Sequence, residues 1–385
     1  MKELTVFANG DSSKISTWSN VPFFFTETLL SKGIKINRVD LSPHPFLQRI
    51  YNNVYVRLLK IIFKNTSYNY FRSYIHFVHV RLRIKKAIKT NLKSEAFIFL
   101  TFSFSSGGLT KKPTIQFCDW TYEHYINYFL NRKPDFLEKL SIAREDTQIV
   151  GSDILLPLFP IVAEYMEKKF QDNNIYYLGN VINSFFKPVK NEILELKRMS
   201  NKLLFVGSIK YMDGAVSLIE AFEIVKKKCP ALTLHIIGID RSAFKYLPDD
   251  VFCYGYLDKS IHAERELYYN LFKEAKIFIN TTPKWASFSA SIEAMYYYTP
   301  VVISPSDEFI KTFGEEIKFG AYCKNNSSYL IVEKIETLIK EEFYERLCYN
   351  AHHSVKEFTW ESYIEKVVGK IDEHISLSDN FVLGD

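Results

Sequence analysis

The chain has 385 residues, 47% of them apolar and 24% charged, and a net charge of +5. This composition excludes a disordered chain, and the length exceeds one ordinary core and suits two domains of about 150–200 residues. Only 14 glycines, with no G-x-G-x-x-G or G-x-x-x-x-G-K-[ST] pattern, speak against Gly-rich phosphate loops, and five scattered cysteines without a C-x-x-C exclude a disulfide framework.

The opening MKELTVFANGD lacks the apolar core of a signal peptide, and no apolar run approaches the ~18–20 residues of a membrane span, so a cytosolic chain is expected. LTVFA (4–8) reads as a buried strand, followed by the polar loop NGDSSKISTWSN. Ser19 or Asn20 stands where it can cap a helix over VPFFFTETLLSKG, with Pro22 in the first turn and Gly33 at the end. IKINRVD reads as the second strand.

Between Leu41 and Ser94 stand eleven Lys or Arg and no Asp or Glu. Arg49, Arg57, Lys60, Lys64, Arg81, Lys85 and Lys86 alternate with Phe46, Tyr51, Tyr55, Tyr74 and other aromatics. Two readings stay open for residues 41–94: a solvated helical face over an aromatic core, or an amphipathic surface for anionic lipid. No nucleic-acid motif accompanies the charge, so nucleic acid is not an expected partner. His76 and His79, set in this aromatic stretch, read as core or interface residues.

Further strands are expected at AFIFLTF (96–102), TIQFC (114–118), TQIV (147–150) and NIYYL (174–178), with helices over DFLEKLSIARE and LLPLFPIVAEYMEKKF. After the less regular NVINSFFKPVKNEILELKRMSNK the pattern restarts. KLLFVG (202–207), ALTLHIIG (231–238), VFCYGYL, KIFIN and PVVIS read as strands. GAVSLIEAFEIVKKK, ERELYYNLFKEA and SFSASIEAMYYY read as the helices between them. Repeated strand, helix, strand predicts an α/β chain of two doubly wound halves that bind ligand outside the strands' carboxyl ends, in the cleft between the halves.

The loops GSIKYMDG, GIDRS and NTTPKWASFS follow strand ends and should open on one rim. A helix starting at Ser287, Phe288 and Ser289 presents free N–H groups and a positive dipole end there, a phosphate site that needs no metal. Glu293, one turn further, suits the paired hydroxyls of a ribose or, equally, a capping or salt-bridge contact. No His, Cys or carboxylate group stands at metal-ligand spacing, so neither a metal nor another cofactor is expected.

The series FVG…LIEAF…LTLHIIG…YGYL…LYYNLFKEAKIFINTT…SFSASIEAM…PVVIS, from about Leu203 to Ser304, resembles the C-terminal domain of retaining, family-4-type glycosyltransferases of the GT-B fold. STWSNVPFFFTETLLSKG, PTIQFCDWT and TQIVGSD are similar to parts of that group's N-terminal domain. The resemblance implies an acceptor domain over 1–185, a nucleotide-sugar domain over 186–360, and a last helix within 361–385 that returns to the first domain. In that family two glutamates bracket seven residues; the second, which holds the ribose, matches Glu293, and the first, at the donor sugar, falls on Trp285. The family's diphosphate-binding Arg and Lys fall on Ser208 and Asp213.

The donor site implied is therefore Glu293, Ser287, Phe288, Ser289, Trp285, Gly207 and Ser208, with Lys210 and Lys284 replacing the lost cations. Asp119, just past TIQFC, matches the place where the family faces the reaction centre, or else it forms an Asx turn. Asp11, Ser19 and His124 fall on the acceptor side. The activity implied is metal-independent sugar transfer from a nucleotide sugar to a glycan or lipid-linked glycan in bacterial lipopolysaccharide or capsule assembly, in the cytoplasm or peripherally on the membrane's inner face. A non-catalytic GT-B subunit, a sugar-nucleotide epimerase and a transferase with an unusual donor are the alternatives.

Overall fold

A strand covered on both faces reads as an unbroken apolar run, and Glu3–Ala8 (β1) is buried along its length after the first residue. The computed structural model, which describes residues 1–282 and 288–382, divides into two compact units: Met1–Asn180 with Trp360–Asp385, and Val181–Thr359.

In the first unit β1 joins Lys35–Asp40 (β2), Ala96–Phe99 (β3), Thr114–Cys118 (β4) and Ile154–Pro157 (β5) in a parallel sheet of order β2-β1-β3-β4-β5. The strand order reverses between β1 and β3, the position at which doubly wound sheets open a ligand crevice. Phe7 and Phe99 stack at 4.3 Å under the helix Tyr74–Thr90, whose Val80, Ile84 and Ala87 face the sheet. The last helix, Trp360–Val382, packs in this same unit: Trp360 meets the rings of Phe25 and Phe117, and Lys32 pairs with Glu365 at 2.7 Å.

Three local expectations are corrected. LLP, expected to open a helix over LLPLFPIVAEYMEKKF, lies in β5, and that helix begins only at Pro160. TQIV is the end of the helix Phe136–Val150, not a strand. A capping box between Asp135 and Glu138 starts that helix, and Glu138, Ile142, Glu145 and Ile149 keep one buried face to its end, so β5 begins only at Ile154. NIYYL contributes a single bridge, Leu155 to Ile175, rather than a strand. Residues 41–94 are largely helical, through Pro45–Tyr51, a π turn at Asn52–Val56, Arg57–Ile62 and Tyr74–Thr90. His76 is fully buried among Tyr70, Phe71 and Phe104.

The second unit holds Lys202–Val206 (β6), Thr233–Ile237 (β7), Val251–Cys253 (β8), Ala275–Asn280 (β9), Val301–Ile303 (β10) and Gly320–Tyr322 (β11), all parallel, in the order β11-β10-β9-β6-β7-β8. Here the order reverses between β6 and β9. The stretch expected to be irregular before β6 contains the helix Lys190–Met199, anchored by the buried Lys197. The two units are thus Rossmann-like α/β domains, as the alternation of elements predicts.

Candidate active site

Four strand ends, of β6, β7, β8 and β9, interlock along the rim that includes the switch point of the second unit. Gly207 N–H donates to Ile237 O at 3.0 Å, and Gly238 N–H donates to Gly255 O at 2.7 Å. Gly238 has φ +94°, and a Cβ there would stand 2.5 Å from Gly207 O, so only glycine fits this approach. Asn280, at the end of β9, donates to Val206 O at 3.1 Å and accepts from Thr282 N–H at 3.1 Å, pinning β6 to β9 at the rim. The helix Met212–Lys228 starts against this rim: a Cβ on Gly214 would lie 2.2 Å from Thr282 Oγ1. Asn326 ties the same start down, donating to Asp213 O at 2.8 Å.

Ser208 is exposed in extended backbone before a short turn, and Lys210 is exposed with Nζ 5.2 Å from the Tyr211 ring centre. The helix Phe288–Tyr296 follows β9. Ser289 is exposed in its first turn, whereas the Phe288 side chain is core, packed on Phe309 at 4.7 Å. Lys284, Trp285 and Ser287 lie outside the described residues.

Glu293 is 5% exposed. Lys259 Nζ stands 3.1 Å from its Oε1, and the Tyr268 hydroxyl donates to Oε2 at 2.9 Å. The Lys259 ammonium also lies over the Tyr268 ring, 3.9 Å from its centre. Burial holds the Lys259 ammonium below the usual lysine range, and Glu293 opposes that shift. Burial first and the Glu293 charge second push the Tyr268 phenol well up, so it remains a donor. A carboxylate offers about four lone-pair positions, so these contacts leave acceptor capacity on Glu293. A salt bridge and a ribose contact are therefore compatible at this side chain.

The first unit has a cavity of about 490 Å³ at the carboxyl ends of β1, β3 and β4. Asn9, Trp18, Thr101, Asp119 and Trp120 line it, together with Arg72 and Glu145. Arg72 Nη1 donates to Glu145 Oε1 and to Ser103 Oγ, each at 2.9 Å, and its guanidinium stacks 3.9 Å over Tyr122. Glu145 also accepts from Ser103 Oγ at 2.8 Å and Tyr122 N–H at 2.5 Å. Asp119 accepts from the Cys118 thiol at 3.3 Å; burial and this carboxylate push the thiol well up, keeping it protonated.

Asp11 and Ser19 sit in the loop between β1 and the first helix. Asp11 accepts from Ser13 N–H at 2.9 Å and Ser13 Oγ at 2.7 Å, bonds that hold its carboxyl below the usual range. Trp18, Ser19 and Asn20 have φ of +36°, +51° and +71°, three consecutive left-handed residues. Such strain costs about 1–3 kcal/mol per residue and collects where a loop must hold a set shape. His124 does not line the cavity. It stacks on Trp120 at 5.2 Å and Tyr128 at 5.3 Å, and burial pushes its imidazole down to about 4.

The sequence reading missed Glu145, Lys259, Asn280, Trp18 and Trp120. Glu145 had a visible signal, being a carboxylate in the apolar phase of an amphipathic helix, in step with Ile142 and Ile149. Lys259 had none, because its partner lies 34 positions away.

Residues 186–354 match the family model of glycosyl transferases group 1. No curated protein sequence matches the chain. Among solved structures, sucrose-phosphate synthase from Thermosynechococcus elongatus is similar at 13% identity and TM-score 0.65, over 98% of this chain and 100% of that one. The α,α-trehalose 6-phosphate synthase of Burkholderia multivorans is similar at 10% identity and TM-score 0.63, over 98% and 100%. Anabaena HepE, determined with UDP and glucose, is similar at 11% identity and TM-score 0.59, over 96% and 99%. These likenesses are of fold, and the fold is GT-B. A match to the group 1 glycosyl transferase model over residues 186–354, on a chain of GT-B fold, supports a glycosyltransferase enzyme.

Proposed function

We propose that the chain transfers a sugar, with retention and without a metal, from a nucleotide sugar to a glycan or lipid-linked glycan of a bacterial surface polysaccharide. The observation that carries the donor half is the position of Glu293 within the stretch that matches the group 1 model, one turn inside the helix Phe288–Tyr296 that follows β9. Glu293 takes the ribose hydroxyls through its remaining lone pairs. The start of that helix, with Ser289, and the cations Lys210 and Lys284 take the leaving diphosphate, an electrostatic role. The rim residues Gly207 and Ser208 flank it.

The cavity of the first unit is the proposed acceptor pocket. Trp18 and Trp120 give it aromatic walls for a sugar ring, and Asp119 is the proposed carboxylate at the reaction centre. Residues 41–94 are proposed to face an anionic membrane, where a lipid-linked acceptor would be met. A second reading, a non-catalytic subunit, is favoured by Ser208, Asp213 and Trp285 standing where the family carries its diphosphate cations and its first glutamate. Incubating the chain with a panel of sugar nucleotides and lipid-extracted acceptors, with and without EDTA, tests both. A glycosylated product by mass spectrometry, its anomeric configuration set by NMR and its yield unchanged in EDTA, is expected. No product from any donor favours the non-catalytic reading.

A further inference from the structure

Helices that belong to a soluble surface keep their apolar side chains inward. The rod Pro45–Ile62 does the reverse. Phe46 is 64% exposed, Leu58 60%, Ile61 72% and Ile62 75%, and Ile50 and Val54 are exposed between them. Phe46, Ile50, Val54, Leu58 and Ile62 recur every fourth residue, which a helix containing a π turn carries along one side as a stripe. Arg49, Arg57, Lys60 and Lys64 are basic neighbours of this stripe in the same rod and just past it. The helix Tyr74–Thr90 repeats the design: Tyr74, Ile75, Val78 and Leu82 are exposed, and the exposed positions that follow are Lys85, Lys86, Lys89 and Thr90. No acidic residue interrupts the whole segment.

We propose that the rod Pro45–Ile62 lies in the plane of an anionic lipid surface, with its apolar stripe in the acyl boundary and its basic residues at the headgroups. Two features together choose this occupant. A stripe of bare aliphatic side chains needs an apolar phase, which a nucleic acid does not offer to Ile, Leu or Val. An uninterrupted basic set needs a dense negative surface, whereas the core of a protein interface is depleted of charge. No described helix is long and apolar enough to cross a membrane, so the mode is interfacial rather than spanning. The inference deepens the membrane reading above and rests on it for its purpose. Its measurement uses neither donor nor acceptor, so its failure and the failure of the transferase reading are distinguishable.

The test is co-sedimentation of the whole chain with vesicles of phosphatidylcholine alone or mixed with phosphatidylglycerol. The parent is expected to pellet with the mixed vesicles and stay in solution with the neutral ones. The variant I50S/L58S/I62S and the variant R57Q/K60Q/K64Q should each lose vesicle affinity by about tenfold or more. Both should melt with the parent, because the altered side chains are exposed. A parent that stays in solution with anionic vesicles overturns the proposal, as does one that forms a dimer through this face instead. An I50S/L58S/I62S variant that pellets like the parent overturns the insertion of the stripe.

Discussion

Glu293 and Lys259 form a buried ion pair, 3.1 Å from Nζ to Oε1, closed on its other side by the Tyr268 hydroxyl. The pair decides how the donor half of the account is tested, because Glu293 is both the partner of Lys259 and the proposed ribose acceptor. Replacing Glu293 with Ala should weaken binding of the cognate nucleotide by about 1–3 kcal/mol through lost charged hydrogen bonds. Calorimetry on a folded variant with unchanged affinity would remove the ribose role.

Lys259→Met leaves the Glu293 charge buried without its cation, and such a change costs about 3–5 kcal/mol of stability. Adding Glu293→Gln to it should recover a large part of that loss, because the unpaired charge is then gone. Urea melts of the two single variants and the double variant measure the coupling. Additive effects would mean that the pair contributes nothing as a pair.

Arg72 and Glu145 do the equivalent work in the cavity of the first unit. The conservative Arg72→Lys keeps the charge but loses the planar guanidinium that stacks on Tyr122 while it holds Ser103 and Glu145. Acceptor KM should rise at least about tenfold while donor affinity is unchanged. A variant with altered donor affinity and normal acceptor KM would place the acceptor elsewhere.

Acid should destabilise the chain before its carboxylates titrate. Burial pushes His76 and His235 down to about 4, as it does His124, against an ordinary value of 6.5. A depressed folded value means that the unfolded chain binds the proton first. The stability these imidazoles contribute is therefore complete above pH 6.5 and is lost as pH falls from 6.5 through about 4. His76→Phe, in a pocket of aromatic rings, should flatten the fall by roughly one proton's worth of slope. Thermal melts at intervals across that range check it, and an unchanged slope would show that His76 is solvated in the folded protein.

Lys197 shifts the opposite limb. Its Nζ is fully buried and donates to Ala275 O at 2.8 Å, Phe272 O at 3.2 Å and Thr299 Oγ1 at 2.7 Å, with no carboxylate among these acceptors. Burial lowers its pKa to about 7 from 10.5, so between those values the unfolded chain holds the proton and the folded one releases it. Lys197 therefore adds a rise in stability with pH across that window, and Lys197→Met should remove that contribution from the parent's slope. It should also cost about 1–3 kcal/mol at neutral pH by leaving two carbonyls without a donor. Equal pH slopes in parent and variant would contradict the buried titration.

What the sequence made legible followed one rule, local periodicity. The runs LTVFA, TIQFC, KLLFV and KIFIN are strands because each is an apolar run short enough to cross a sheet, and their alternation with helices yields the two Rossmann-like units. TQIV was misread because Ile149 and Val150 are β-branched, while the capping box that starts their helix lies far upstream at Asp135. The site was less legible. Glu293 is where motif spacing puts it, but Lys259 reaches it from another loop, and Arg72 meets Glu145 from 73 positions away. Such pairings are set by tertiary packing. The aromatic and basic composition of residues 41–94 was plain, yet composition alone could not say that the aliphatic side chains face outward.

The central claim, that the stretch matching the group 1 model binds a nucleotide sugar through Glu293, is tested most directly by thermal shift. The chain and its Glu293→Ala variant are melted against each nucleoside diphosphate and sugar nucleotide. A ligand at 100 times its Kd stabilises the folded state by about 2.7 kcal/mol, a readily visible shift. The account predicts such a shift for one base in the parent and a clearly smaller one in the variant at the same concentration. No shift with any nucleotide, or an equal shift in both proteins, would contradict it.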